Sequence, residues 1–270
     1  MPELPRIPVT LSSSSVYPMG VAETFSIAED LGYDGVEIMV THRAETQQAD
    51  VLNEWAWRFG LPVKSIHAPT LLLTQQVWGS AWDKIHKSAE LARQVGCDVV
   101  VAHPPFRWQG TYASGFAEGI TKIEERTGVM VAVENMYPWR AGGREAAMYL
   151  PHWNPVPYDY KHVTWDFSHA ATAEDDSFEA VKALGSRLRH VHLTDGWSNG
   201  FKDDHLVPGL GNQRVVEAME LVAQPDFGGE GFHGAVAVEV STRSARKEVG
   251  ERERMLAESL AFARKHLGQE

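Results

Sequence analysis

The sequence predicts an α/β chain folded as one (β/α)8 barrel over residues 1–270. Three observations predict it: a recurring helix–glycine–strand unit, eight strand-like runs, and acidic and imidazole side chains that close those runs. The unit reads Leu31-Gly32-Tyr33-Asp34-Gly35-Val36-Glu37-Ile38, then Phe59-Gly60-Leu61-Pro62-Val63-Lys64-Ser65-Ile66-His67. It returns as Val95-Gly96-Cys97-Asp98-Val99-Val100-Val101-Ala102-His103 and as Thr127-Gly128-Val129-Met130-Val131-Ala132-Val133-Glu134. Helices commonly end on a residue at positive φ, which glycine adopts without steric cost, so Gly32, Gly60, Gly96 and Gly128 mark helix ends. Repeated alternation of helix and apolar strand is the pattern of a parallel sheet covered by helices.

The strands are expected at about Ile7–Leu11, Gly35–Met39, Val63–His67, Val99–His103, Met130–Glu134, His162–Phe167, Leu188–Thr194 and Ala235–Val240. Helices are expected near 20–31, 49–59, 81–95, 114–127, 177–185 and 213–223. The stretch from about 140 to 160 is rich in proline and aromatics and allows one short helix near Arg144–Leu150. A last helix, about 245–267, closes the barrel and sets Val249, Leu256, Leu260, Ala263 and Leu267 on one face. An open doubly wound sheet would carry a glycine-rich loop after its first strand; here that strand runs into Ser12-Ser13-Ser14-Ser15.

Composition narrows the function. A net charge of −11 opposes nucleic acid and anionic membranes at long range. The single cysteine, Cys97, cannot form an internal disulfide and reads as a buried, inert thiol. The N-terminus lacks a signal-peptide core, and no apolar run approaches the ~20 residues of a membrane span. A cytoplasmic protein without nucleic-acid or membrane partners is expected; the oligomeric state is open.

The chemistry gathers at strand ends. His67, His103 and Glu134 end strands three to five; Asp166 ends strand six, with His169 just beyond. His192 ends strand seven, followed by Asp195, and Glu239 lies near the end of strand eight. In a barrel these ends converge on one face, which carries the active site. Side chains alternate along a strand, so Glu134 shares a face with Ala132, Asp166 with Thr164, and Glu239 with Ala237 and Ala235. Val131, Val133, Val236 and Val238 then face the outer helices. Any one of these residues alone would more often be structural. Several buried carboxylates in one mouth repel each other and lose hydration, and a divalent cation removes that cost. A second cluster, Asp203-Asp204-His205-Leu206-Val207-Pro208-Gly209-Leu210-Gly211-Asn212, has the composition of a second metal site or of a phosphate site at a helix N-terminus, and equally of an ordinary polar turn.

Ser65-Ile66-His67-Ala68-Pro69, Val101-Ala102-His103-Pro104, Val133-Glu134-Asn135, Trp165-Asp166-Phe167-Ser168-His169, His190-Val191-His192-Leu193-Thr194-Asp195, His205-Leu206-Val207-Pro208-Gly209-Leu210-Gly211 and Ala237-Val238-Glu239 run in order along the chain. This ordered set resembles the xylose isomerase-like TIM barrel superfamily, which spans sugar phosphate isomerases and epimerases, inosose dehydratases and endonuclease IV-type (AP endonuclease family 2) nucleases. The resemblance implies that Glu134, Asp166, His192 and Glu239 are the shared metal ligands. In epimerase-like members the equivalents of Glu134 and Glu239 also move protons on opposite faces of the substrate. His67, His103, His169, Asp203 and His205 match the further ligands of the three-zinc nuclease branch.

Three departures weigh against a nuclease: Met136-Tyr137-Pro138-Trp139 follows Glu134-Asn135, Thr194-Asp195 stands where the nuclease usually has Asn-Asp, and the chain is acidic. The expectation is therefore a divalent-metal isomerase or epimerase of a small polyhydroxy carbonyl compound. A zinc phosphodiesterase, a dehydratase and a non-catalytic binding barrel are the alternatives. Mn2+ or Zn2+ is the expected ion, with Mg2+ or Co2+ also compatible with a mostly hard ligand set. Trp108, Trp139 and Trp197 are candidate sugar-stacking rings, and Arg140, with Arg107 and Arg144, a candidate for an anionic substrate group.

Overall fold

Eight parallel strands close on themselves in a computed structural model that describes residues 6–70, 74, 76–141, 144–198, 202–243, 245 and 249–269. The barrel strands are β1 (Val9–Ser12), β2 (Val36–Met39), β3 (Val63–His67), β4 (Val99–Ala102), β5 (Met130–Glu134), β8 (Val163–Asp166), β9 (Leu188–Leu193) and β10 (Ala235–Val238). Each pairs with its sequence neighbour in the barrel, and β1 pairs with β10 to close it. The helices between them are α1 (Val21–Leu31), α2 (Ala49–Phe59), α3 (Ala81–Val95), α4 (Thr111–Ser114), α5 (Phe116–Thr127), α6 (Phe167–Ala173), α7 (Ser177–Leu184) and α8 (Val215–Val222), with α9 (Glu251–His266) last.

The glycine argument holds at all four positions. Gly32, Gly60, Gly96 and Gly128 cap α1, α2, α3 and α5 at φ of 82°, 65°, 77° and 73°. The alternation argument holds as well. Val131, Val133, Val236 and Val238 join the large core between strands and helices. Ala132 packs instead with Val99 and Val101 inside the barrel.

Three expectations need correction. The segment near Arg144–Leu150 is not helical: β6 (Trp139–Ala141) and β7 (Arg144–Ala146) form an antiparallel hairpin. Gly142-Gly143, outside the described residues, is the composition of a two-residue hairpin turn and was the signal available in the sequence. The last helix begins at Glu251 rather than near 245; Val249 lies before it and is fully exposed, so it does not share the buried face of Leu256, Leu260 and Ala263. Strand six gives way at once to α6, because Asp166 is its N-cap and accepts from the His169 amide at 2.7 Å.

Candidate metal centre at the strand ends

The barrel interior is polar toward its C-terminal end. Glu134, Asp166 and His192 are fully buried there and Glu239 nearly so. One nitrogen gathers the carboxylates: His192 Nδ1 lies 2.8 Å from Glu239 Oε2, 2.9 Å from Glu134 Oε1 and 3.7 Å from Asp166 Oδ2. A ring nitrogen can donate to one acceptor, so three carboxylates around it are what a cation-binding pocket requires. Asp166 divides its oxygens accordingly. Oδ1 caps α6, while Oδ2 is buried with no hydrogen-bond partner. The four ligand atoms of Glu134, Asp166, His192 and Glu239 all lie within 4.8 Å of one another. A buried, unpartnered carboxylate oxygen aimed into this cluster fits a divalent ion.

The further ligand candidates surround that core. His67 and His103 approach Glu134 Oε2 through Nε2 at 3.2 and 2.9 Å. His169 approaches Glu134 Oε1 through Nδ1 at 3.3 Å and Asp203 through Nε2 at 3.4 Å. His205 Nε2 stands 3.0 Å from Asp203 Oδ2, and its Nδ1 donates to the Glu239 carbonyl at 2.8 Å. His205 reaches this position at φ 45°, a backbone region that few residues other than glycine adopt. The structure thus brings all nine candidate metal-type ligands into one mouth. Among the described residues four triads also have metal-compatible spacing: His67–His103–Glu134, Asp166–His169–His205, His67–His192–Glu239 and Glu37–His190–His192.

Charge is strongly coupled here. Burial opposes ionisation of Glu134, but the histidines around it, His192 and His103 first, hold its carboxyl well below the usual range. Burial likewise opposes, and His192 outweighs, for Glu239. Burial disfavours charge on His192, yet Glu239, Glu37 and Glu134 raise its pKa well above normal. For His205 the same contest, won mainly by Asp203, raises the pKa to about 10. Asp166 goes the other way because burial prevails.

Four contributors escape the sequence patterns. Ser14, from the serine run after β1, donates to Glu239 Oε1 at 2.7 Å. Asn135 is bound twice to the Asp166 backbone, donating at 2.9 Å and accepting at 2.6 Å. Glu37 and His190 sit within the barrel beneath His192, fully buried. The parity of β2 and β9 was the available signal, since Glu37 and His190 fall on the lumen side of apolar strands.

Asp195 is not part of the centre. Its carboxylate accepts from the amides of Gly196, Gly209, Gly211 and Gln213 at 2.8, 3.0, 3.0 and 3.2 Å. The glycine-rich turn is therefore closed by a protein carboxylate, and its amides are not open to a phosphate. Glycine is required at 211, where a Cβ would overlap Asp195 and the Gly196 backbone.

A cavity of about 310 Å³ opens over the centre, lined by His67, Glu134, Tyr137, His169, Glu239 and Arg243 among others. A larger hollow, about 890 Å³, lies at the opposite end of the barrel near Arg6, Phe232 and Leu267 and contains none of these ligands. Trp108 and Trp139, both exposed, meet at 6.1 Å over the buried Phe106, but neither ring lines the cavity. Trp197 is half exposed and also outside the lining. Arg140 is held by Glu145 at 3.0 Å and by the Thr172 carbonyl at 2.6 Å rather than facing the cavity.

A closed parallel barrel with buried acids and imidazoles gathered at its strand ends has the architecture of a barrel enzyme, with residues in its mouth that could hold a cation. Comparison with known proteins makes the class specific. The chain belongs to the xylose isomerase-like TIM barrel family, whose model matches residues 25–266. An uncharacterized protein of Mycobacterium tuberculosis (strain ATCC 25618 / H37Rv) is 44% identical over 97% of this chain and 99% of its own length. Fructoselysine 3-epimerase of Escherichia coli O157:H7 is 22% identical over 82% of this chain and 86% of its own.

Among solved structures, a D-tagatose 3-epimerase-like protein superposes with a TM-score of 0.66 at 21% identity, covering 96% of this chain and 99% of its own. The 3-keto-D-glucoside 4-epimerase from E. coli gives 0.68 at 17% identity, covering 96% and 100%. The IolI protein, solved with a zinc atom, gives 0.67 at 16% identity, covering 97% and 99%. Those that carry an activity in their names are sugar epimerases. Among the described residues no helix is long and apolar enough to cross a membrane.

Proposed function

We propose that this chain is a divalent-metal-dependent isomerase or epimerase of a small sugar, sugar phosphate or related polyhydroxy carbonyl compound. One observation carries the reading: Glu134 and Glu239 both line the cavity and both approach the same His192 nitrogen, within 2.9 Å. Glu134, Asp166, His192 and Glu239 would hold Mn2+ or Zn2+, with Mg2+ or Co2+ as alternatives. When bound, the ion would supply Lewis acidity that polarises a substrate carbonyl and acidifies the adjacent C–H.

The protein supplies the proton transfer. One of the two glutamates takes the proton from carbon, and the electron pair left behind passes into the adjacent carbonyl. The other returns a proton to that carbon or its neighbour. His192 and its neighbours hold both pKa values down, which keeps the glutamate that takes the proton ionised; the one that returns a proton enters the turnover as the acid, so the pair exchanges roles by one proton. Ser14 fixes the Glu239 carboxylate at 2.7 Å and so sets the direction from which it approaches substrate. Fructoselysine 3-epimerase and the epimerase structures support this substrate class.

The test is solvent exchange. With Mn2+ present, incubation with ketoses and sugar phosphates in D2O should place deuterium next to the carbonyl, and Glu134→Gln or Glu239→Gln should abolish it. No exchange across a broad ketose, sugar phosphate and inosose panel would count against the proposal.

A second reading, a zinc phosphodiesterase, is favoured by the triads His67–His103–Glu134 and Asp166–His169–His205. The cavity of about 310 Å³ suits a small molecule better than a duplex. Elemental analysis decides: three zinc ions per chain with cleavage of abasic DNA would replace the epimerase assignment.

A further inference from the structure

Beneath the centre, the carboxylate of Glu37 receives three donors from two other strands. Ser65 Oγ donates to Oε2 at 2.8 Å, and His190 Nε2 stands 2.8 Å from the same oxygen. His192 Nε2 lies 3.4 Å from Oε2 within hydrogen-bonding geometry and 3.2 Å from Oε1, an oxygen that has no hydrogen-bond partner. All four side chains are fully buried, so water does not compete for these contacts. β2, β3 and β9 bring them together at one level of the barrel. Lumen-side parity sets Glu37 and Ser65 opposite one another in the register.

We infer that Glu37 is a positioning residue that fixes the tautomer of His192, and so turns its Nδ1 lone pair toward the cation site. The inference rests on the metal reading proposed above. An imidazole that binds a metal through one nitrogen must carry its proton on the other. The Nε2 of His192 faces Glu37, while its Nδ1 faces Glu134, Asp166 and Glu239. A carboxylate only accepts, so with a metal on Nδ1 the ring proton belongs on Nε2, where Glu37 receives it. Ser65 and His190 hold the carboxylate at the angle that reaches His192.

A glutamine at position 37 would fail for a specific reason. Three donors converge there, and a carboxylate has oxygens enough for all of them. An amide presents one oxygen and one NH2 group, and because His192 Nε2 lies 3.2 Å from Oε1 and 3.4 Å from Oε2, the NH2 faces that nitrogen whichever way the amide turns. If His192 yields, its proton moves to Nδ1 and blocks the position a metal needs.

The experiment is metal affinity joined to histidine 15N NMR. In the metal-loaded wild-type protein, His192 should show a protonated Nε2 and a metal-shifted Nδ1. Glu37→Gln should weaken Zn2+ or Mn2+ binding about 10- to 100-fold, measured by chelator competition. The thermal midpoint of the metal-free variant should fall as well, because a buried donor loses its acceptor, so affinities are compared at a temperature where both proteins are folded. Ser65→Ala, which leaves the carboxylate but removes one support, should weaken binding less.

Binding by Glu37→Gln within twofold of wild type would overturn the inference. So would a metal-loaded wild-type spectrum with the His192 proton on Nδ1, a result that stands even if the variant does not fold. A wild-type chain that binds no divalent metal would instead defeat the metal reading, and this inference with it.

Discussion

Removing the metal should make the stability of this protein depend on pH in a defined direction. Without a cation, protons on the histidines neutralise the buried carboxylates. Burial opposes charge on His205, but Asp203 and its acidic neighbours raise its pKa to about 10 from the usual 6.5. The native state then holds a proton that the unfolded chain has released. That stabilisation is complete below about pH 6.5 and is lost as pH rises toward about 10. Taken alone, the shift corresponds to at most roughly 5 kcal/mol at 1.36 kcal/mol per pH unit. The ring is partly open to water, and strong coupling spreads the proton over several groups, so about 2–3 kcal/mol is the working figure.

His67, His169 and His192 are also raised, despite burial, by the surrounding carboxylates, and they add in the same direction. His103, lowered by burial, does not. Divalent ions at the central four residues and at the Asp166–His169–His205 triad would replace these protons and remove the dependence. The assay is urea denaturation of metal-free and metal-loaded protein between pH 6.5 and 9.5. The buried tyrosines, held neutral by burial in the folded protein, begin to ionise at the alkaline end only in the unfolded chain, equally for both forms, and cancel in the difference. Metal-free protein should lose about 2–3 kcal/mol relative to metal-loaded protein across this range. Parallel stability curves for the two forms would refute the reasoning.

Four other outcomes follow. Glu134→Gln and Glu239→Gln should each lower kcat by roughly 10²- to 10⁴-fold as proton-transfer groups; steady-state kinetics on the substrate found by deuterium exchange checks this. Ser14→Ala should reduce kcat/KM about tenfold by freeing the Glu239 carboxylate while leaving the fold intact; a variant equal to wild type would remove Ser14 from the site. Asp195→Ala should destabilise the chain by about 1–3 kcal/mol, because four backbone amides lose their acceptor, with metal affinity little changed; thermal unfolding and chelator competition separate the two. Cys97 is buried, and burial with the nearby Asp98 pushes its thiol up to about 12, so a thiol reagent at pH 8 should react only after denaturation.

The sequence alone determined the local geometry and its repetition. Positive φ is a preference of glycine itself, so the helix ends at Gly32, Gly60, Gly96 and Gly128 follow from residue type and spacing. Strand parity is also local, which is why Ala132 and Glu134 could be assigned to the lumen and Val131 and Val133 to the outer layer. Once eight parallel strands are expected to close, the convergence of Glu134, Asp166, His192 and Glu239 follows from the cylinder itself.

Other features depend on partners distant in the chain, and only the tertiary structure could decide them. Asp195 has the residue type of a ligand, yet its carboxylate is taken by the turn at 209–213, so its role rests on where that loop returns. Arg140 has the residue type of an anion anchor, yet Glu145 and the Thr172 carbonyl hold it elsewhere. Glu37 lies 153 positions from His190 and 155 from His192, and meets them only because barrel closure brings β2 across from β9. A carboxylate's role is set by which donors reach it, and in a barrel those donors arrive from strands that the linear order keeps far apart.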